Sequence, residues 1–204
     1  GEVADGVTWI KRPSTALDES RVPFYRWFPD GTMNTCYNAL DRHVIAGRAD
    51  QAALVYESPV TGTSRTLTYA QLLEQVAKFA GVLRVLGVEK GDRVVIYMPM
   101  VPEALVAMLA CARIGAIPYK PMLDAAIRRS AHKPDHCVIL QREQVEAPLG
   151  ENDVDWATMM RSDAIAPAEC VEVAATDPLY VLYTSGTTGK PKGIVRDNGG
   201  HAVA

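Results

Sequence analysis

A nearly continuous apolar run over residues 93–98 is followed by a helix-forming segment, and this pair constrains the fold more than any other feature of the chain. Such a run, without polar alternation, is typical of a strand in a sheet that is covered on both faces. Pro102 suits the first turn of a helix and Gly115 suits its end, so the sequence predicts a helix over 102–114. Alternating strands and helices predict an α/β fold, and we expect a second parallel strand over 179–184.

Capping and periodicity predict another helix over 69–86. Thr68 can cap its first turn, and Gln71, three residues later, completes a capping box. Gly87 is favourable just beyond the last turn. The apolar stripe of this helix consists of Leu72, Val76, Phe79, Ala80, Leu83 and Leu86.

The residues before this helix read as a hairpin and a shorter helix. Apolar and β-branched residues predict strands over 52–56 and 65–68, separated by a turn-rich segment. Either Asn34 or Thr35 can cap a helix that runs to about Ala46. The local pattern therefore places a helix, a hairpin and a long helix ahead of the first strand of the parallel sheet.

The composition excludes several classes of protein. With 204 residues, a formal net charge of −3 and 48% hydrophobic residues, the chain has an ordinary globular composition. The slight acidity argues against nucleic acid as a partner, and the longest apolar stretch, 104–112, is too short to span a bilayer. The four cysteines lack C-x-x-C spacing and the four histidines form no metal-binding pair. We expect reduced thiols, no metal site and a cytoplasmic location, with the oligomeric state left open.

The string over residues 183–193, YTSGTTGKPKG, has the chemistry of a polyphosphate-binding loop. It carries three glycines, four serine or threonine hydroxyls and two lysines, and apolar strand-like residues lie on both sides. Glycines let the backbone approach phosphate oxygens, successive N–H groups form an anion-binding nest, and lysine supplies positive charge. It is not a Walker A loop, because Gly186 and Gly189 are too close and Pro191 follows Lys190. The alternative to phosphate binding is a solvent-exposed, purely structural Gly-rich hairpin, which a shorter motif such as GxxG alone would indicate equally well.

This string resembles the phosphate-binding signature of the adenylate-forming superfamily, which contains acyl-CoA synthetases, luciferases and peptide-synthetase adenylation domains. Other stretches are similar to the short-chain acyl-CoA synthetases, namely residues 26–28, 34–43 and 91–100. Residues 132–142 and 196–204 are most similar to propionyl-CoA synthetases. The resemblance covers nearly the whole chain from about Val22.

The resemblance implies an AMP-forming acid–thiol ligase. A carboxylate attacks the α-phosphorus of ATP to give an acyl-adenylate and pyrophosphate, and the CoA thiol then expels AMP. ATP, Mg²⁺ and CoA are the implied cofactors, and propionate is the implied acid. Acetate is the alternative substrate, although acetate enzymes usually read differently after the loop. A non-catalytic nucleotide- or phosphate-binding fragment is the alternative from another class.

The family's phosphate-contacting element maps onto the loop, and its catalytic residues do not map onto this chain. The resemblance implies no catalytic residue and no metal ligand within the 204 residues. Lys190 is expected to face solvent more than Lys192 does. The implied nucleotide-binding residues are Thr184, Ser185, Gly186, Thr187, Thr188, Gly189, Lys190, Lys192 and Gly193.

Compared with the family pattern, the chain is expected to be an incomplete N-terminal portion of the large adenylating domain, an α/β unit. Residues 1–20 are expected to be an irregular lead-in, and 21–204 to belong to that domain. A βα segment of roughly thirty residues or more, which contributes to CoA binding in the family, is missing between Pro118 and Tyr119. Either the main chain is interrupted there or the segment is deleted, and a helix follows over about 122–131. The acyl pocket, the adenine contacts and the mobile C-terminal domain have no matching positions.

Overall fold

The structure, a computed structural model, describes residues 2–119, 134–141, 147–184 and 192–203. The strands in chain order are β1 (Leu17–Asp18), β2 (Arg26–Trp27), β3 (Thr32–Met33), β4 (Ala52–Ser58), β5 (Thr63–Thr68), β6 (Arg93–Val95), β7 (Ile117–Tyr119), β8 (Cys137–Ile139), β9 (Asp153–Asp155), β10 (Val173–Ala174), β11 (Pro178–Thr184) and β12 (Lys192–Asp197). The helices are α1 (Glu2–Asp5), α2 (Tyr69–Val85), α3 (Pro102–Ile114), α4 (Trp156–Arg161) and α5 (Asn198–Val203).

The largest sheet has the order β12–β11–β7–β6. Strands β6, β7 and β11 are parallel, and β12 joins the edge antiparallel to β11. The predicted parallel strands are therefore confirmed, and the three-residue strand β7 lies between them. β6 ends at Val95 rather than at residue 98, because it pairs with β7 and their last pairing joins Val95 to Tyr119.

In the apolar run that begins in β6, only every second side chain packs against the core. Val94 and Ile96 contact the main hydrophobic core, which α2 and α3 build together, whereas Val95 is 39% and Tyr97 is 55% exposed. This alternation corrects the expectation of a sheet covered on both faces. Within the described part of the chain, the edge of the sheet at β6 is covered on one face and open on the other.

Both long helices follow the sequence prediction. Thr68 Oγ1 accepts a hydrogen bond from Gln71 N at 3.3 Å, and Gln71 Oε1 accepts one from Thr68 N at 3.0 Å, so the capping box is present. The predicted stripe of α2 is buried, apart from the half-buried Leu86. Gly115 ends α3 in the left-handed region at φ 74°, where glycine carries no Cβ strain. None of the helices in the described ranges is long and apolar enough to cross a membrane.

The predicted hairpin is confirmed and extends further than expected, since β4 pairs with β5 from Ala52 to Ser58. The predicted helix to about residue 46 forms as two π-helical segments, Tyr37–Asp41 and Val44–Arg48. Asn34 is the capping residue, because its Oδ1 accepts a hydrogen bond from Tyr37 N at 3.0 Å.

Residues 2–20 contain little regular structure, but they are packed on the body of the protein. Trp9 donates from Nε1 to Ala4 O at 2.7 Å, and its ring lies edge-on to that of Phe28 with centroids 4.9 Å apart. β1 pairs antiparallel with β2. The lead-in therefore forms a small second cluster with Phe28 and Ala175.

Pro118 and Tyr119 are consecutive residues of β7, and each pairs with a residue of β6. The expected break in the main chain at this point is therefore wrong. The alternative, a sequence from which a βα segment is absent, remains a prediction. The helix predicted over about 122–131 lies outside the described residues.

Candidate phosphate-binding site

Strands β11 and β12 bring the two ends of the candidate loop together. Tyr183 pairs with Gly193, and Thr184 pairs with Lys192 at the end of the antiparallel ladder. Gly193 is exposed on the edge strand. The remaining predicted residues, Ser185, Gly186, Thr187, Thr188, Gly189 and Lys190, lie outside the described part of the chain, so their phosphate contacts stay predictions.

The loop begins at the carboxyl edge of the parallel strands. β6, β7 and β11 run in the same direction, so Val95, Tyr119 and Thr184 mark one edge of the sheet. Ligands of open α/β sheets bind in the crevice outside the carboxyl ends of the strands. The topology therefore places Thr184 and Lys192 at the edge where a nucleotide would be expected.

The segment after β12 anchors the hairpin to the N-terminal part of the protein. Asn198 is buried, donates from Nδ2 to Asp177 O at 2.9 Å, and accepts on Oδ1 from Thr35 Oγ1 at 2.6 Å. Since Thr35 and Asn198 are 163 residues apart, this contact closes the sheet against the segment that precedes Tyr37–Asp41.

Gly199 makes a close backbone contact that a side chain would displace. A Cβ at this position would lie 2.8 Å from Trp27 O, and Gly199 N donates to Ala175 O at 2.7 Å. His201 lies edge-on to Tyr180 with ring centroids 5.8 Å apart. Asn198, Gly199 and His201, in the stretch that resembles propionyl-CoA synthetases, therefore make packing contacts.

An apolar cavity of about 400 Å³ lies beside β11 and the start of α3. Its described lining includes no Lys, Arg or His, and Glu57 is its one charged residue. Aliphatic and methionine side chains such as Met98, Met100 and Leu105 form most of the wall. The cavity therefore lacks the donors and positive charge that a polyphosphate requires.

A buried polar cluster was not foreseen from the sequence. Arg113 is 3% exposed and donates from Nη1 and Nη2 to the two oxygens of Asp41 at 2.8 and 3.1 Å. Burial alone would lower the pKa of Arg113, but its hydrogen bond to Asp41 and the nearby Cys170 and Cys36 raise it overall. No local signal could have revealed the cluster, because Cys36 and Cys170 are far apart in the sequence.

Three residues of this cluster form the one group of potential metal ligands found among the described residues. One ligand atom each from Cys36, Asp41 and Cys170 lies within 4.8 Å of the others. Neither His43 nor His201 belongs to this group. The cluster lies at the junction of Tyr37–Asp41 with the end of α3, rather than at the carboxyl edge of the sheet.

Comparisons with known proteins match both parts of this fold. The model of the AMP-binding enzyme family matches residues 41–203, and that of the acetyl-coenzyme A synthetase N-terminus matches residues 1–39. The mitochondrial acyl-CoA synthetase short-chain family member 3 of Homo sapiens is 42% identical over all of this chain, which covers 35% of that protein. The acetyl-coenzyme A synthetase of Streptomyces coelicolor is 40% identical over 98% of the chain and 36% of its own length.

The solved structure of an acetoacetyl-CoA synthetase from Streptomyces lividans superimposes with a TM-score of 0.80 and 31% identity, over 98% of this chain and 35% of that one. The chain thus spans about a third of the length of these relatives. The family matches, these relatives and the α/β architecture agree that the chain belongs to the AMP-binding enzyme family and corresponds to an N-terminal part of the adenylating domain of short-chain acyl-CoA synthetases.

Proposed function

We propose that the chain is the N-terminal, phosphate-binding part of an ATP-dependent short-chain acyl-CoA ligase. The observation that carries this proposal is the topology of the hairpin, which starts the 183–193 string at the carboxyl edge of three parallel strands. Membership of the AMP-binding enzyme family supports the same role. In this proposal ATP supplies the activated phosphorus and CoA the accepting thiol.

The part of the chain in this reaction is to hold and orient the leaving polyphosphate. Negative charge develops on pyrophosphate as it leaves, so positioned N–H and hydroxyl donors and a lysine lower the barrier. Residues from Thr184 to Gly193 would supply those donors, with Lys192 held at the end of the β12 ladder. Mg²⁺ would neutralise further negative charge on the phosphates. None of the binding residues proposed in this chain is a ligand for that ion.

For the acid, we propose propionate, with acetate as the alternative. The support for propionate is the similarity of residues 132–142 and 196–204 to propionyl-CoA synthetases. Two of the relatives are named as acetyl-CoA and acetoacetyl-CoA synthetases, so acetate and acetoacetate are alternative substrates to propionate. The packing roles of Asn198 and Gly199 weaken the argument from residues 196–204.

The full-length protein tests both levels of this proposal. We expect propionyl-CoA, AMP and pyrophosphate from propionate, ATP, Mg²⁺ and CoA, and a higher kcat/KM for propionate than for acetate, butyrate or acetoacetate. Release of ADP and orthophosphate would exclude the adenylate mechanism. A higher kcat/KM for acetate would replace propionate while leaving the ligase assignment intact.

We also propose that a βα segment of the family is absent from this sequence. The matches to the short-chain relatives extend over 243 and 240 residues, more than the 204 residues of the chain, so the relatives contain residues that have no counterpart here. If this segment contributes to CoA binding, a protein that lacks it should form the acyl-adenylate but transfer it poorly to CoA. Measuring pyrophosphate exchange beside CoA-dependent AMP release separates the two steps.

A further inference from the structure

Two cysteines that are distant in sequence meet beside a buried ion pair. Cys36 lies just before the π-helical segment Tyr37–Asp41, and Cys170 lies in the irregular segment between α4 and β10. Their sulfur atoms and a carboxylate oxygen of Asp41 all lie within 4.8 Å of one another. The ligase function proposed above assigns no role to these thiols.

The two thiols differ in access to solvent. Cys170 is half-buried and lines a cavity of about 410 Å³ together with Trp9, Asn34 and Tyr37. Cys36 is 0% exposed and does not line the cavity. A small reagent that enters the cavity therefore reaches Cys170 first, and Cys36 lies directly behind it.

The surrounding charges favour a thiolate at Cys36. Its pKa is lowered by a hydrogen bond from Cys170 and by the positive charge of Arg113, whose Nη1 lies 3.8 Å from Cys36 Sγ, against the opposing effect of burial. The pKa of Cys170 is raised, first by its hydrogen bond to Cys36 and then by burial. The Cys170 thiol also donates to Asp41 Oδ2 at 3.8 Å, so it is the protonated member of the pair.

A metal ion would compete with the ion pair at this place. Both oxygens of Asp41 accept hydrogen bonds from Arg113, so a metal bound by Asp41 would have to weaken the pairing of a guanidinium that is 3% exposed. Removing the partner of a buried charge is strongly unfavourable. A bond between the two sulfurs leaves the Arg113–Asp41 pair in place.

We propose that Cys36 and Cys170 are a modification site at which a low-molecular-weight disulfide converts the two thiols into an intramolecular disulfide. Cys170 passes its proton to the neighbouring Cys36 thiolate and attacks one sulfur of the reagent; the reagent's S–S bond breaks, and the first thiolate leaves and takes that proton from Cys36. Cys36 then attacks Cys170 Sγ as a thiolate and expels the second. Two protein sulfurs are oxidised and one disulfide is reduced; the single proton of the pair ends on the first released thiol, and the second is released as a thiolate that takes its proton from solvent.

The fold allows the required approach of the sulfurs. A disulfide needs an S–S distance of about 2.05 Å, so the atoms must move together from their separation in the reduced protein. Cys170 lies outside helices and strands, and the approach can come from rotation of the two cysteine side chains while Val171 N stays bonded to Arg113 O at 2.9 Å. By contrast, Cys111 is 0% exposed inside α3 and does not line the cavity, so it should remain an inert thiol.

Glutathione disulfide, alkylation of the remaining thiols and tryptic mapping test this site in the full-length protein. We expect Cys36 and Cys170 to become resistant to alkylation and peptides 27–42 and 162–192 to be joined by a disulfide. Cys170→Ser should leave Cys36 unmodified, and Cys36→Ser should accumulate glutathione on Cys170. Cys137→Ser, the control, should keep the full yield of joined peptides.

Three outcomes would overturn the proposal. The first is a persistent glutathione adduct on Cys170 in the unaltered protein, and the second is a disulfide that involves Cys111 or Cys137 under native conditions. The third is a stoichiometric bound metal in the purified protein that blocks the reaction until a chelator removes it. None of these outcomes depends on ligase activity, so the result is separate from the test of the proposed function.

Discussion

Arg113 joins three parts of the chain through one buried side chain. It lies in the last turn of α3, donates twice to Asp41, and donates from Nε to Ala168 O at 2.5 Å in the segment after α4. Asn34 ties the same parts together, because its Nδ2 donates to Arg113 O at 3.0 Å and to Val171 O at 2.7 Å. The guanidinium is therefore stable in the core because Asp41 accepts two of its hydrogen bonds.

We expect Asp41→Asn to lower the free energy of unfolding by about 3–5 kcal/mol, because it removes the carboxylate to which the buried guanidinium donates twice. Glu169→Gln is the matched control, since Glu169 lies 3.9 Å from Arg113 but its side chain is 96% exposed. An exposed pair contributes at most about 1 kcal/mol. Urea denaturation of the three proteins gives the comparison, and equal losses in the two variants would show that Asp41 has no special role.

Helix α2 is held by a segment that lies against its glycine. A Cβ at Gly81 would lie 1.9 Å from Ala166 O, and Ala168 N donates to Ala77 O at 2.9 Å. Lys78 strengthens the contact by donating from Nζ to Ile165 O at 2.6 Å. The absence of a side chain at Gly81 therefore permits the backbone of residues 165–168 to lie on the helix.

In an open helix, Gly81→Ala would stabilise the protein by about 1 kcal/mol through helix propensity. Here we expect a net loss of about 1–3 kcal/mol, because the new methyl group displaces the backbone at Ala166. Glu74→Ala, on the exposed face of α2, should change stability by no more than about 0.5 kcal/mol. Thermal and urea denaturation give the sign of the change in stability. A more stable Gly81→Ala variant would mean that the backbone at Ala166 moves away from the new methyl group at little cost.

The elements that could be predicted are those whose signals are local. Thr68 and Gln71 are three residues apart, and Pro102 and Gly115 mark the two ends of one helix, so short stretches of sequence contain the information. The position of β7 between β6 and β11 was not predicted, because a strand of three residues is too short to show a hydrophobic periodicity. At the candidate site the string itself was recognisable. Thr35, which donates to Asn198, and Cys170, which lies beside Cys36, are each more than 100 residues away from their partner, and no local pattern reveals these contacts.

The sheet leaves apolar side chains in solvent at both β11 and β12. Leu182 is 45%, Ile194 is 48% and Val195 is 59% exposed. Relatives of the chain are about three times as long, so in a protein of their length further residues are available to cover these side chains. Since Ile194 and Val195 are successive residues of β12, they point to opposite faces, so both faces of this edge expose apolar side chains.

For the 204 residues alone, we expect no detectable ligase turnover and at most weak binding of pyrophosphate that decreases as salt is added. Catalysis requires alignment of the reacting groups as well as attraction, and small misplacements are costly. The full-length protein, assayed beside the shorter chain, is the control for assay conditions. Measurable acyl-CoA formation by the shorter chain would show that these residues contain a complete active site.

In the full-length protein, Lys192→Ala tests the loop directly. Removing one preorganised donor to a developing negative charge typically slows a reaction by on the order of 100-fold, so we expect pyrophosphate exchange to fall by that order. Lys190→Ala should have a smaller effect, because Lys190 is expected to face solvent. The melting temperature should change little in either variant, since β12 is an edge strand whose neighbouring side chains Ile194 and Val195 are already exposed. A variant Lys192→Ala that kept full exchange but melted at a lower temperature would instead make the loop a structural hairpin, and the phosphate-binding role would have to be abandoned.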